Sequence, residues 1–248
     1  MTQRSIVITG ASSGIGAALA RRLGKDGHRI ALAARRLDAL QAVANECGEA
    51  IAIAADVTRR EDVERLREEA LRAFGSVDVW INNAGRGISR RVLELSDEDF
   101  DEMMTVNVKS ALYGMQAIVP YFLERGRGHL INISSFLGRV PIAAHRSAYN
   151  AAKAALNALT ANLRADVANR GVEVSLVMPG LVATEFAQNA LGDATPVAPP
   201  WTPGTAMQPQ TAEEVADAVA QLIETPRAEL FTNPASPEIA RRWFESLA

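Results

Sequence analysis

The sequence predicts an α/β protein built on one doubly wound parallel sheet of about seven strands, spanning residues 1–248 as a single domain. Two observations predict it. Short apolar runs alternate with longer stretches of helical periodicity from Ser5 to Phe231, the order that lays helices on both faces of a parallel sheet. The first run also breaks into a glycine-rich turn and then a helix, the context in which a turn of this kind cradles a phosphate.

Composition narrows the function classes. A hydrophobic fraction of 48% is ample for a buried core, and a net charge of −3 gives no electrostatic case for nucleic acid or an anionic membrane. Cys47 is the sole cysteine, so an intrachain disulfide is impossible and no thiolate metal site is expected. No apolar run approaches the roughly 18 residues of a membrane span. The first strand is under way by Ile6, which leaves no room for a signal peptide. A soluble, cytoplasmic protein without a metal is expected.

Ser5 to Thr9 reads as the first buried strand, followed by Gly10-Ala11-Ser12-Ser13-Gly14-Ile15-Gly16 and a helix over 17–25. The glycines permit a tight turn and close backbone approach, and the helix start offers free N–H groups to a pyrophosphate. The second strand, 29–34, ends at Arg35-Arg36 instead of the acidic residue that would grip a ribose 2′-hydroxyl. An arginine there suits a 2′-phosphate, Arg35 being the better placed, although a solvated pair at a helix start is the alternative. Asp38 reads as an early residue of the following helix. The third strand, 50–54, runs out at Asp56-Val57, where Asp56 can accept from an adenine amino group or cap the next helix, 61–74. The fourth strand, 77–81, closes on Asn82-Asn83-Ala84-Gly85, suited to a ring lying close but equally to a plain turn.

Residues 97–123 form a long helical stretch with Ser96 as N-cap. Asn107 inside it is a mediocre helix former, so it either faces solvent or holds something, such as a water in an opened turn. The fifth strand, 129–133, ends at Ser134-Ser135, and a helix over 147–169 follows. That helix carries Tyr149 and Lys153, four apart and therefore on one face. Lysine occurs only at Lys25, Lys109 and Lys153. A fixed ammonium lowers a tyrosine's pKa towards the range useful for proton transfer, although alone the pair also fits a plain surface helix. The sixth strand, 172–177, stops at Pro179-Gly180. The segment 184–210 then loses periodicity and reads as a substrate lid, with Phe186 and Trp201 as apolar contacts or simple anchors. A helix over 211–224, a short strand at Leu230-Phe231 and a tail over 236–248 complete the chain, and Ile239, Trp243 and Leu247 give the tail an apolar stripe.

Taken together these motifs resemble the short-chain dehydrogenase/reductase family over nearly the whole length. Thr9-Gly10-Ala11-Ser12-Ser13-Gly14-Ile15-Gly16 matches its cofactor motif and Asn82-Asn83-Ala84-Gly85 its strand-end motif. Asn107, Ser135, Tyr149 and Lys153 fall on its catalytic tetrad, and Pro179-Gly180 with Thr184 on a later cofactor segment. Ser135 is preferred to Ser134 because two residues and then Gly138 follow it. The resemblance implies a Rossmann-type sheet ordered 3-2-1-4-5-6-7 and dimers or tetramers formed through the helices at 97–123 and 147–169. It also implies hydride exchange between a nicotinamide cofactor and a small carbonyl or alcohol substrate. Tyr149 would be the general acid/base, Ser135 would hold the substrate oxygen, Lys153 would also bind the nicotinamide ribose, and Asn107 would hold a relay water. The arginines favour NADP(H), with NAD(H) as the alternative in a dehydrogenase of a sugar, polyol or steroid alcohol. A nucleotide-sensing protein without turnover is a third reading, which loss of a tetrad residue would favour; none is lost. Arg86, Arg90 and Arg91 offer themselves to an anionic substrate or form a solvated cluster, and His145 lines the pocket or merely its loop.

Overall fold

A computed structural model describes residues 2–186, 188–192 and 207–247. Seven parallel strands form one sheet: β1 (Ser5–Thr9), β2 (Arg29–Ala34), β3 (Ala50–Ala54), β4 (Val79–Asn82), β5 (Gly128–Ile133), β6 (Val172–Met178) and β7 (Glu229–Phe231). Their order, β3-β2-β1-β4-β5-β6-β7, is the one expected. Around them lie α1 (Gly14–Lys25), α2 (Leu37–Asn45), α3 (Arg60–Phe74), α4 (Asp97–Met104), α5 (Ser110–Arg125), α6 (Ser147–Asp166), α7 (Ala212–Glu224) and α8 (Ser236–Glu245). No helix among the described residues is long and apolar enough to cross a membrane.

Alternation along the strands divides the core between the two faces. Ile6, Ile8, Ile30 and Leu32 pack with Leu19 and Leu23 of α1, Leu40 of α2 and Val215 and Val219 of α7. Val7 and Ala31 turn the other way, joining Trp80, Leu66 of α3, Phe122 of α5 and Leu156 of α6.

The stretch expected as one helix over 97–123 is broken into α4, a π-helical turn at Thr105–Lys109, and α5. Ser96 caps it as expected, its hydroxyl accepting from Asp99 N at 3.2 Å. α6 stops at Asp166, short of the expected 169, because the chain turns there through Asn169 at φ 62° and Gly171 at φ 74°. The tail forms α8, whose buried Ile239 and Ala240 pack on Phe136 and Val140 with Trp243 alongside; Leu247 remains exposed and outside the stripe.

A buried polar chain seats α6 on the sheet. Trp80 Nε1 donates to Asn82 Oδ1 at 2.8 Å, and Asn82 Nδ2 donates to Asn132 Oδ1 at 2.9 Å and Ala111 O at 3.2 Å. Asn132 Nδ2 donates to Thr160 Oγ1 at 2.9 Å, and that hydroxyl donates to Leu156 O at 2.7 Å.

His129, on β5, is 4% exposed with Nε2 2.8 Å from Ser175 Oγ. Burial pushes its pKa down to about 4. Its unfolded value lies near 6.5, so between the two the unfolded chain binds the extra proton and stability is lost as pH falls. The expected loss from His129 between pH 7 and pH 5 is about 2 kcal/mol. Urea unfolding at both pH values checks this, and an equal acid loss in His129→Gln would rule the histidine out as its source.

Candidate active site

The site lies along the carboxyl edge of the sheet, where β1, β4, β5 and β6 end and doubly wound folds bind ligands. After β1 the chain turns through Gly10 at φ 67°. A Cβ on Gly10 would fall 2.8 Å from Ala84 Cα, and one on Gly16 would strike Gly10 O and the Asn83 amide. Glycine is therefore required for close packing of the turn on the β4 end. Asn83 Nδ2 donates to Thr9 O at 2.9 Å and Gly10 O at 3.2 Å, while Asn83 N and Ala84 N donate to Thr9 Oγ1 at 3.0 and 3.2 Å. α1 then begins with no side-chain cap from Ser13 and no acid in its first turn. Its N-terminus thus offers unneutralised N–H groups, and Ser12, Ser13 and Ile15 are left half-buried beside it. This cradle of bare backbone fits a dinucleotide pyrophosphate.

Other expected cofactor residues border the same turn. Thr184, six residues after β6, has its methyl 3.6 Å from where a Cβ on Gly14 would sit. Pro179 O accepts from Phe136 N at 2.8 Å, tying that segment to the β5 end, and Gly180 packs closely against Met207 and Asn233. Arg36 brings Nη2 to 3.5 Å from Ser12 Oγ. Arg35, the expected better bet, is exposed beside it without such a contact. Asp56 Oδ1 accepts from Thr58 N and Oγ1 at 3.0 and 2.7 Å, so it braces the turn before α3; Val57 follows, half-buried.

The four tetrad residues converge in the interior. Asn107 is 1% exposed. The π turn opens the helix around it, and its Nδ2 donates to Met103 O at 3.1 Å and Arg86 O at 2.9 Å. Its Oδ1 accepts from Arg86 N at 3.2 Å and lies 2.8 Å from where a Cβ on Gly85 would stand. Asn107 therefore faces inward and clamps the segment after β4. The two serines face different ways. Ser134 Oγ donates to Asn157 Oδ1 at 2.5 Å, whereas Ser135 Oγ accepts from Leu137 N at 3.2 Å and stands near enough to the Tyr149 phenol to pull its pKa down. Lys153 is 3% exposed, donates to Ile133 O at 3.0 Å and stands 5.7 Å from the Tyr149 ring centroid.

The electrostatics correct one expectation. Burial raises Tyr149 to about 12, against opposing pulls from the Ser135 hydroxyl and the Arg146 guanidinium. Burial likewise lowers Lys153 to about 8. Burial thus opposes the lowering of the phenol expected from Lys153, because removing both groups from water favours their uncharged forms.

On the substrate side, Arg86 pairs with Glu102 at 2.5 Å and Arg90 with Asp99 at 2.8 Å. These two cations brace α4, and Arg91 is exposed. The first part of the expected lid is laced to residues 86–90 through Ser89 N to Leu191 O at 2.7 Å, Leu191 N to Gly87 O at 3.0 Å and Arg86 Nε to Asn189 O at 3.1 Å. That lacing sets the Phe186 ring 5.5 Å from the Tyr149 ring. Trp201 lies outside the described residues, and His145 is half-buried in its loop. Sequence reasoning missed Arg146, which stands at the cap just before the helix that carries Tyr149, where no i, i+3 helical spacing marks it.

A family model described as short chain dehydrogenase matches residues 4–194. An uncharacterized oxidoreductase of Staphylococcus aureus strain N315 is 39% identical over 186 residues, which is 74% of this chain and 80% of the relative. An alcohol dehydrogenase from the archaeon Thermococcus sibiricus, solved with 5-hydroxy-NADP, superposes with TM-score 0.80 at 31% identity over 93% of this chain and 96% of its own. A short-chain dehydrogenase/reductase from Burkholderia phymatum, solved with NAD, gives TM-score 0.87 at 28% identity over 99% and 94%. The fold, the glycine cradle and this extended sequence identity together establish that the chain belongs to the short-chain dehydrogenase family.

Proposed function

We propose that the protein is an NADP(H)-dependent oxidoreductase that interconverts a ketone or aldehyde with its alcohol, using Tyr149 as general acid/base. The observation that carries this reading is the buried pair of Tyr149 and Ser135 hydroxyls, set with Lys153 at the sheet edge that also holds the glycine cradle. When bound, the dinucleotide supplies the hydride in reduction and accepts it in oxidation. As charge grows on the carbonyl oxygen, Tyr149 donates its proton there and Ser135 holds that oxygen by a hydrogen bond. A phenol held at about 12 is fully protonated at neutral pH, which favours reduction. Lys153, anchored on Ile133 O, presents its remaining N–H groups to the ribose hydroxyls and to the phenol after proton transfer. The opened turn at Thr105–Lys109 weakens regular helical bonding, and there we place the relay water expected with Asn107. A complete tetrad argues against a sensing role. NAD(H) is the second reading, favoured by the Burkholderia phymatum neighbour's bound NAD.

Apolar, uncharged surface supports a homodimer or homotetramer. Ala151, Ala154, Ala158 and Ala161 form an exposed face of α6, beside a groove lined by Leu112, Val119, Pro120 and Leu163.

Three outcomes are expected. Tyr149→Phe lowers kcat/KM by about 10²- to 10⁴-fold while still binding NADPH by fluorescence titration; wild-type turnover in this variant would remove Tyr149 from the mechanism. NADP(H) binds more tightly than NAD(H), and Arg35→Ala and Arg36→Ala each weaken NADP(H) by about tenfold or more while leaving NAD(H) affinity in place; equal wild-type affinities defeat the preference. Light scattering returns two or four times the mass of one chain, and a single-chain mass would sink the assembly through α5 and α6.

A further inference from the structure

Among the cations around the substrate side of Tyr149, Arg146 differs from Arg86 and Arg90, which each have a carboxylate. Arg146 stands immediately before α6. Its Nη1 donates to Ile88 O at 3.1 Å. The same Nη1 lies 3.0 Å from where a Cβ on Gly87 would sit, and Phe186 Cε1 lies 2.8 Å from that point. Since the Phe186 ring also packs on Tyr149, the guanidinium and the Phe186 ring meet over the bare Gly87 backbone, with the Tyr149 ring alongside.

The guanidinium is half-buried, and its burial holds it below the usual arginine range. Among the described residues no carboxylate pairs with it; the ionisable side chains beside it are Tyr149 and His145, neither of which supplies a carboxylate. Its remaining N–H groups keep open surface, since none is sealed off and unsatisfied. Withdrawing a cation from water without an anion is unfavourable, and its fork of N–H donors matches a carboxylate. One positive charge beside an apolar ring balances a single negative charge, which fits a carboxylate better than a phosphate dianion.

We infer that Arg146 is a specificity residue that binds a carboxylate carried by the carbonyl substrate, with Phe186 as the apolar surface beside it. The substrate class is then an oxo acid and its hydroxy acid. This rests on Tyr149 acting at the substrate carbonyl as proposed above.

The test uses 2-oxo-4-phenylbutanoate and its ethyl ester, which share the ketone and the ring but differ in charge. NADPH and NADH oxidation are each followed with wild type, Arg146→Gln and Arg146→Lys. Wild type is expected to favour the acid in kcat/KM, mainly through KM. Arg146→Gln is expected to lower the acid-to-ester ratio by about 10- to 100-fold, and Arg146→Lys to restore part of it. A wild-type ratio at or below one overturns the inference, as does an equal loss on both compounds in Arg146→Gln. Should that variant not fold, wild type decides alone: 4-phenylbutanoate must inhibit ester reduction competitively, and failure to do so overturns the inference. Turnover confined to uncharged ketones defeats the inference and leaves the oxidoreductase reading standing. No turnover of any ketone or aldehyde defeats that reading and the inference with it.

Discussion

The geometry of the site depends on how α6 is held against the sheet. Apolar packing at Leu156 is non-directional and would tolerate a range of helix rotations. The hydrogen-bonded chain from Trp80 through Asn82 and Asn132 to Thr160 would not, because its donors and acceptors are buried and already matched to well-placed partners. A rotation that broke one link would leave polar groups unsatisfied in the interior, at about 1–3 kcal/mol each. Thr160 lies seven residues beyond Lys153, about two helical turns, so the same face that is locked to Asn132 continues towards the site.

Seating Tyr149 and Lys153 on that face sets up an electrostatic tension. Burial raises the phenol and lowers the amine, and both shifts oppose the charged pair that a phenolate and an ammonium would form. Burial thus favours the neutral phenol, the form that the proposed proton donation requires. Ser135 and Arg146 pull the phenol the other way without overcoming burial. A substrate that engages either of them changes the acidity of the residue that serves it.

The sequence made the sheet, the glycine-rich turn and the pairing of Tyr149 with Lys153 legible, because each is written in local signals: β-branched runs, glycine spacing, and an i, i+4 pair. Tertiary partners were less so. Asn107 showed only as a poor helix former, and the π turn with its clamp on Arg86 requires the segment after β4 to lie alongside. Arg86 and Arg90 looked free until Glu102 and Asp99 of α4 proved to stand opposite them. The lysine's effect on the phenol was read from spacing, which carries no measure of burial. The tail's stripe announced that it docks, but Phe136 as its partner depends on how β5 and β7 adjoin through β6.

The tail's docking also links the back of the site to its front. Phe136 follows Ser135 directly, and its ring lies under Ile239 of α8 and 6.1 Å from the ring of Phe231. Its N–H donates to Pro179 O, one residue before Gly180. From there the chain reaches Thr184 at the glycine cradle and Phe186 at Tyr149. One segment, 179–186, therefore borders the hydroxyl that would hold the substrate oxygen, the pyrophosphate cradle and the apolar wall. Because such a segment is constrained at both ends, by Phe136 and by the strand-like lacing of Leu191 to Gly87, movement of the residues between them would reach cofactor and substrate contacts together.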